Sequence, residues 1–276
     1  DYRLLGCLRN SLFSFKNNAR DKMQQSLPGL IFRVLDNPLG RAVVQKRHQL
    51  RHRKDLKAII DQHDYFILLA PPNREELNHF VGDYKSEKVI AIPNSIPKIH
   101  DEQMQKEKII LHVGRFDISQ KRSDLLLDFW QHTYRELPDW KFVLVGDGPY
   151  RPTLEADLKR RGLPRVQLDG YQKPEPYYKK AAIFMMPSAY EGFPNTILEA
   201  QSFGCAVLAF NNYAALPWIV NDGEHALLST PFNTSEMASQ TITLAKDETL
   251  LADMRQKALQ NAARFTIERV GKQWLN

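Results

Sequence analysis

The chain is poor in cysteine: it has two in 276 residues, Cys7 and Cys205. So few and so far apart, they form neither a disulfide framework nor a metal cluster, and a reducing compartment, the cytoplasm, is the simpler reading. No apolar run is long enough to span a bilayer. The first residues, Asp1, Tyr2 and Arg3, include no Met and lead into no signal-peptide core, so the sequence reads as part of a longer protein. Walker A, Gly-x-Ser-x-Gly and HExxH strings are missing. That removes P-loop nucleotide hydrolysis, nucleophile-elbow hydrolases and zincin proteases. His63, His100 and His112 have no partner at metal-ligand spacing, so no metal is assigned. There is no zinc-finger or RNP string, and no nucleic-acid partner is expected. Internal repeats and low-complexity segments are absent too.

What is present is a globular composition, 43% hydrophobic and 25% charged, with length enough for two α/β domains. The net charge of +6 favours polyanionic partners such as phosphorylated substrates or an anionic membrane surface. The most basic stretch is 41–57 (RAVVQKRHQLRHRKDLK), which reads as a helix running on through Leu56, Ile59 and Ile60. Its charge is suited to anionic lipid headgroups, with a solvated helix face as the alternative.

Strands and helices alternate. Residues 1–60 read as mostly helical, with Leu4, Leu5, Leu8, Leu12 and Phe13 near helical spacing and turns at 27–29 and 36–40. A strand at 64–70, a helix at 73–81 capped by Asn73, and a strand at 88–93 follow. Residues 96–107 are polar and unperiodic, a linker. A second series then runs: strand 108–113, helix 123–137, strand 140–145, turn 146–149, helix 151–162, strand 166–170, helix 175–182, strand 182–186, a helix from Asn195 to Gly204, strand 206–210, and helices at 214–221 and 235–260. Such alternation implies parallel sheets covered by helices, an α/β class.

The densest signal is 187–200, PSAYEGFPNTILEA. A buried strand enters it, punctuators fill it, and a helix leaves it with Asn195 and Thr196 as cap candidates. A helix N-terminus favours an anion such as phosphate. A carboxylate beside that anion, Glu191 or Glu199, accepts from hydroxyls. Hydroxyls next to phosphates suggest a nucleotide sugar.

In parallel sheets, ligands sit at the carboxyl ends of strands. Four segments fall there: Gly114-Arg115, Gly146-Asp147-Gly148, Gly170-Tyr171 and the loop 187–194. Arg115 and Lys121 can clamp a diphosphate, one bidentate and the other as a point charge, with Arg122 a weaker candidate. Two exposed cations are the alternative. The glycines either admit a ligand or make a tight turn, and Tyr171 either stacks on a base or edges the core.

These residues resemble the donor-binding half of GT-B-fold glycosyltransferases of family 4. The matching segments are HVGRF (112–116) with Lys121, LVGDGP (144–149), LDGY (168–171), PSAYEGFPNTILEA (187–200) and FGCAVLAF (203–210), with E-x7-E formed by Glu191 and Glu199. The resemblance implies a GT-B fold of two Rossmann-like domains. Residues 1–97 are then a partial acceptor-side domain, 98–264 a complete nucleotide-sugar domain, and 265–276 a crossover helix. It also implies sugar transfer from a UDP- or GDP-sugar to a glycan or lipid-linked acceptor, with retention and without a cofactor or bound metal.

By that resemblance Arg115 and Lys121 neutralise the diphosphate, and Glu199 holds the ribose hydroxyls. Glu191 contacts the donor sugar. Gly114, Gly146, Gly148 and Tyr171 belong to the donor site, as do Gly192, Phe193, Pro194, Asn195 and Thr196, whose backbone N–H groups, Pro194 having none, lie around the phosphate and sugar. The departures are specific. Lys121 lies one residue further from Arg115 than is usual, Arg122 replaces a Gly, and Ser95 and Pro97 replace a Gly and an Asp. The family's first strand, Gly-rich loop and His are not found upstream of residue 96. The expectation is a polysaccharide or glycolipid enzyme of the cytoplasm, peripheral to the inner membrane face. A non-catalytic nucleotide-sugar-binding fragment and an epimerase of the same fold are the alternatives.

Overall fold

A computed structural model describes residues 4–8, 12, 19–100 and 105–275. Phe13 and residues 101–104 of the expected linker lie outside them. The chain forms two compact units. One gathers the described residues up to Pro93 with Tyr190–Phe193 and Tyr213–Trp218. The other gathers the described residues of Asn94–Ala189, Pro194–Asn212 and from Ile219 onward.

In the first unit, β1 (Leu5–Cys7), β2 (Tyr65–Leu68) and β3 (Val89–Ala91) form a parallel sheet in that order. Four helices accompany it: α1 (Ala19–Ser26), α2 (Gly29–Leu35), α3 (Pro38–Gln62) and α4 (Asn73–Val81). Leu56 and Ile60 of α3 pack with Phe66, Leu68, Leu77 and Phe80.

Three expectations are corrected here. Residues 5–7 are a strand, not helix, because Leu5, Gly6 and Cys7 register against Tyr65, Phe66 and Ile67. Pairing across the chain overrides a short local pattern. The segment 36–40 is a helix start rather than a free turn: Asn37 caps α3 by accepting from the Gly40 N–H, and Pro38 sits at the first helical position. Asn73 does not cap α4. Pro72 holds that place, and Asn73 is the first helical residue, its N–H bonded to the Ala70 carbonyl.

The second unit is built on a six-stranded sheet of β4 (Glu107–Val113), β5 (Lys141–Val145), β6 (Val166–Gly170), β7 (Ala181–Met186), β8 (Ala206–Phe210) and β9 (Ala226–Ser229). All pairs are parallel, in the order β6-β5-β4-β7-β8-β9. Counted within this sheet, that is the Rossmann order 3-2-1-4-5-6. Its helices are α5 (Leu126–Thr133), α6 (Arg151–Arg161), α7 (Glu175–Lys180), α8 (Asn195–Ser202), α9 (Thr234–Lys246), α10 (Glu248–Ala262) and α11 (Ile267–Leu275). Every residue of β7 and β8 is buried, as their uninterrupted apolar runs demand of strands covered on both faces. Ile96 pairs with the Phe265–Ile267 segment through its N–H and carbonyl, at 2.8 and 3.0 Å.

Element bounds differ from expectation for local reasons. The helix after Lys121 opens with a 3-10 turn, Ser123–Leu125, because Arg122 is left-handed at φ 49°. The span 235–260 is two helices. Asp247 breaks it with extended backbone and caps α10 by accepting from the Leu250 N–H. At 214–221 only Leu216–Ile219 is helical. β7 begins at Ala181, which shortens α7, and β9 was not anticipated.

Candidate functional site

The chain runs outward from the middle of the six-stranded sheet in both directions, so β4 and β7, its central pair, mark a switch point. A crevice opens where the following loops part. Gly114 and Arg115 follow β4. Gly146 and Gly148 follow β5 in conformations with φ of 150° and 154°. A Cβ on Gly146 would fall 1.8 Å from the Gly114 carbonyl oxygen, and one on Gly148 would fall 2.5 Å from that of Phe116. Glycine here lets two strand-end loops touch backbone to backbone. The contact is stitched by Gly114 N–H to Val145 O at 3.0 Å, Phe116 N–H to Asp147 O at 2.8 Å and Gly146 N–H to Gly170 O at 2.7 Å.

Around this floor lies a cavity of about 500 Å³. Gly114, Arg115, Gly146, Tyr171, Thr196 and Glu199 line it together with Asp147, Gln172 and Pro174. Tyr171 is 85% exposed on its rim.

The charges are held by neighbours. The Arg115 side chain is 63% exposed, and its Nε donates to Asp117 Oδ2 at 2.9 Å. The other oxygen of Asp117 accepts from the backbone N–H groups of Gln120 and Lys121, at 2.7 and 3.2 Å. Burial opposes the charge on Asp117, but these N–H groups and Arg115 outweigh it, and its carboxyl is held below the usual range. One buried carboxylate therefore holds the Arg115 side chain and the backbone at Lys121. The Gln120 carbonyl accepts from the Ala189 N–H at 2.7 Å, fixing this loop beside the one after β7. Arg122 is engaged elsewhere. It pairs with Asp124 at 2.7 Å and lies over the Phe232 ring at 4.5 Å.

Glu199 is half-buried. Burial raises its carboxyl above the ordinary range, partly offset by the Tyr178 hydroxyl, which donates to Oε2 at 3.1 Å, and by the charge of Lys121. The Tyr178 hydroxyl is itself raised well above the usual value, first by burial and then by Glu199.

Asn195 and Thr196 do not cap α8. Pro194 occupies the cap position, and no side chain closes the helix start. Asn195 is exposed and accepts at Oδ1 from Asn94 Nδ2 at 2.9 Å, while the Thr196 hydroxyl lies 3.6 Å from Met186 Sδ. Glu191, Gly192 and Phe193 belong to the first unit and are buried, Glu191 to 6% exposure. Glu191 adds its charge to the burial that raises Tyr213. Gly148 is not among the residues that line the cavity.

Sequence reasoning missed Asp117, Tyr178, Asp147, Gln172 and Pro174. Asp117 had a signal, an acid two residues after a strand-end arginine. Tyr178 had none, because only the packing of α7 brings it to Glu199. Among the described residues no group of three or more His, Cys, Asp or Glu side chains is arranged to hold a metal.

Comparison with known proteins is consistent across sequence and structure. An uncharacterized glycosyltransferase of Haemophilus influenzae is 28% identical over 200 residues, covering 69% of this chain and 55% of that protein. The amylovoran biosynthesis glycosyltransferase AmsD of Erwinia amylovora is 28% identical over 184 residues, covering 66% and 51%. The chain thus spans about half the length of these curated relatives. A crystal structure of S. aureus TarM, in complex with fondaparinux, alpha-GlcNAc-glycerol and UDP, superposes with a TM-score of 0.71 at 27% identity, covering 81% of this chain and 46% of that one. The fold is that of the GT-B glycosyltransferases, with parallel sheets in both units. The family described as glycosyl transferases group 1 matches residues 107–247. That span is half of the chain and holds the whole cavity wall, and with it the chain belongs to the group 1 glycosyl transferases.

Proposed function

We propose that this chain is the nucleotide-sugar-binding part of a retaining glycosyltransferase that builds polysaccharide or lipid-linked glycan from a UDP- or GDP-sugar. The observation that carries the reading is the meeting of three distant segments at one cavity: the cation Arg115 after β4, the exposed ring of Tyr171 after β6, and the uncapped start of α8 with Glu199 one turn in. The cavity volume of about 500 Å³ is in the range of small-molecule sites.

Each part has a matching chemistry. Arg115 and Lys121 neutralise the diphosphate as it leaves, aided by the helix start. Glu199, ionised, accepts from the ribose hydroxyls. Tyr171 offers a face to the base. The backbone N–H groups of Asn195 and Thr196 at the start of α8 serve the donor sugar. No metal ion is needed for this division of labour. The UDP in the TarM complex and the amylovoran biosynthesis named for the Erwinia relative support the same class of donor and product.

Calorimetric titration with UDP, GDP and ADP sugars tests the donor site. Binding of one of them, weakened roughly tenfold or more in Glu199→Ala, is the expected result. Lack of binding to all three would refute it. We extend the proposal to an anionic membrane surface met by α3, where exposed Leu39, Val43 and Leu50 lie among Lys and Arg side chains. Co-sedimentation with phosphatidylglycerol vesicles should fall when the Lys and Arg of 41–57 are neutralised. Unchanged sedimentation removes this extension.

A further inference from the structure

His112, on β4 two residues before Gly114, is fully buried and outside the roles assigned above. Its Nδ1 lies 3.1 Å from the Met185 carbonyl oxygen. A carbonyl only accepts, so Nδ1 carries the ring proton and Nε2 presents a lone pair. That lone pair has no hydrogen-bond partner, although Nε2 is buried. The ring is fixed on both sides, by Met185 on β7 and by the Phe116 ring stacked at 6.2 Å. A buried acceptor held rigidly without a donor calls for an explanation.

The direction of the lone pair supplies one. Nε2 lies 3.2 Å from the point where a Cβ on Gly114 would stand, and Lys121 Cδ lies 3.9 Å from the same point. The Lys121 stem and Nε2 therefore both approach the same face of Gly114. The Lys121 charge is felt both at His112 and at Glu199, so the ammonium lies within electrostatic reach of both groups. Burial keeps the imidazole neutral, its pKa lowered to about 4, so it remains an acceptor at physiological pH.

We propose that His112 is a positioning residue for Lys121: in the donor-bound chain, Nε2 accepts one ammonium proton of Lys121 and so aims another at the diphosphate. With one ammonium proton held by the imidazole, another is left free for a phosphate oxygen. The inference rests on the donor reading of the cavity.

The test uses UDP, then GDP, as probe, with ring-¹⁵N-labelled histidine in the full chain. Addition of the nucleotide should shift the Nε2 resonance of His112 in the wild type and leave it unshifted in Lys121→Met. His112→Phe, which keeps the ring packed on Phe116, should weaken binding about tenfold. His112→Gln, which returns an acceptor, should recover most of the loss. In the Lys121→Met background His112→Phe should cost nothing more. Equal affinity in wild type and His112→Phe, or losses that simply add in the double variant, would overturn the proposal while leaving the donor site standing. Failure of both nucleotides to bind the wild type removes the donor reading and this proposal with it.

Discussion

Replacing Gly146 with Ala should be among the most damaging single-methyl additions to the second unit. The new Cβ would stand 1.8 Å from the Gly114 carbonyl oxygen and 2.9 Å from its carbon. Relief requires the two loops to part by more than 1 Å, yet both are pinned by the hydrogen bonds Gly114 N–H to Val145 O and Gly146 N–H to Gly170 O. Three costs combine: overpacking of about 1–3 kcal/mol, backbone strain of similar size at φ 150°, and about 1 kcal/mol for a lost hydrogen bond. The expected destabilisation is about 3–7 kcal/mol, a large share of an ordinary domain's stability. Gly162→Ala is the matched control. Gly162 is left-handed at φ 59° with nothing within 4 Å, so it meets strain without collision and should lose about 1–2 kcal/mol. Urea denaturation with unchanged m-values reads both variants. If Gly146→Ala costs no more than Gly162→Ala, the backbone contact between the β4 and β5 loops is not as described.

Other outcomes follow from the charges. The folded chain binds a proton at His112 less readily than the unfolded one, with a pKa of about 4 against 6.5, so its stability is full above pH 6.5 and falls by about 3 kcal/mol as pH drops towards 4. Denaturant midpoints at stepped pH should show this slope, and His112→Phe should flatten it. Glu199 has a raised carboxyl, so its contribution favours the folded state at low pH and is lost as pH rises through the folded value. Glu199→Gln should therefore raise the urea midpoint at pH 8 while weakening nucleotide binding. Wild-type binding should decline as pH falls through that raised value, and a flat calorimetric profile down to pH 4 would contradict this. Asp117→Ala should cost about 1–3 kcal/mol through two stranded backbone N–H groups, and should weaken UDP binding by releasing Arg115, read by denaturation and calorimetry.

How much of this was legible in the sequence differed by layer. The runs Ala181–Met186 and Ala206–Phe210 were plain because central parallel strands are buried on both faces and leave no polar interruption. β1 and β9 were missed because edge strands of three and four residues carry too little pattern to outweigh their neighbours. The break at Asp247 turned on one capping carboxylate inside an otherwise continuous helical periodicity. In the site, Gly114, Arg115, Gly146, Tyr171, Thr196 and Glu199 were reachable because a general rule ties ligands to strand ends. Asp117 holds an arginine two residues away, a spacing that was there to be read, whereas Tyr178 touches Glu199 on another helix, and such a contact leaves no periodic trace. Asn195 had the right residue type for a cap. Pro194, whose φ is held by its ring, stands at the position before it and ends the extended loop there.

The placement of β4 beside β7 bears on how the unit comes together. His112 and Met185 are 73 positions apart in the chain, yet they meet across the central strand pair whose following loops open onto the cavity. Strands β4 to β6 can pair among themselves by short connections, and so can β7 to β9, but neither trio contains the crevice. The crevice exists only once the two trios have closed on each other, an event that carries a large loop-closure cost. Acquisition of nucleotide binding during refolding should therefore trail the recovery of far-ultraviolet circular dichroism and serve as a kinetic marker for the joining of the two halves.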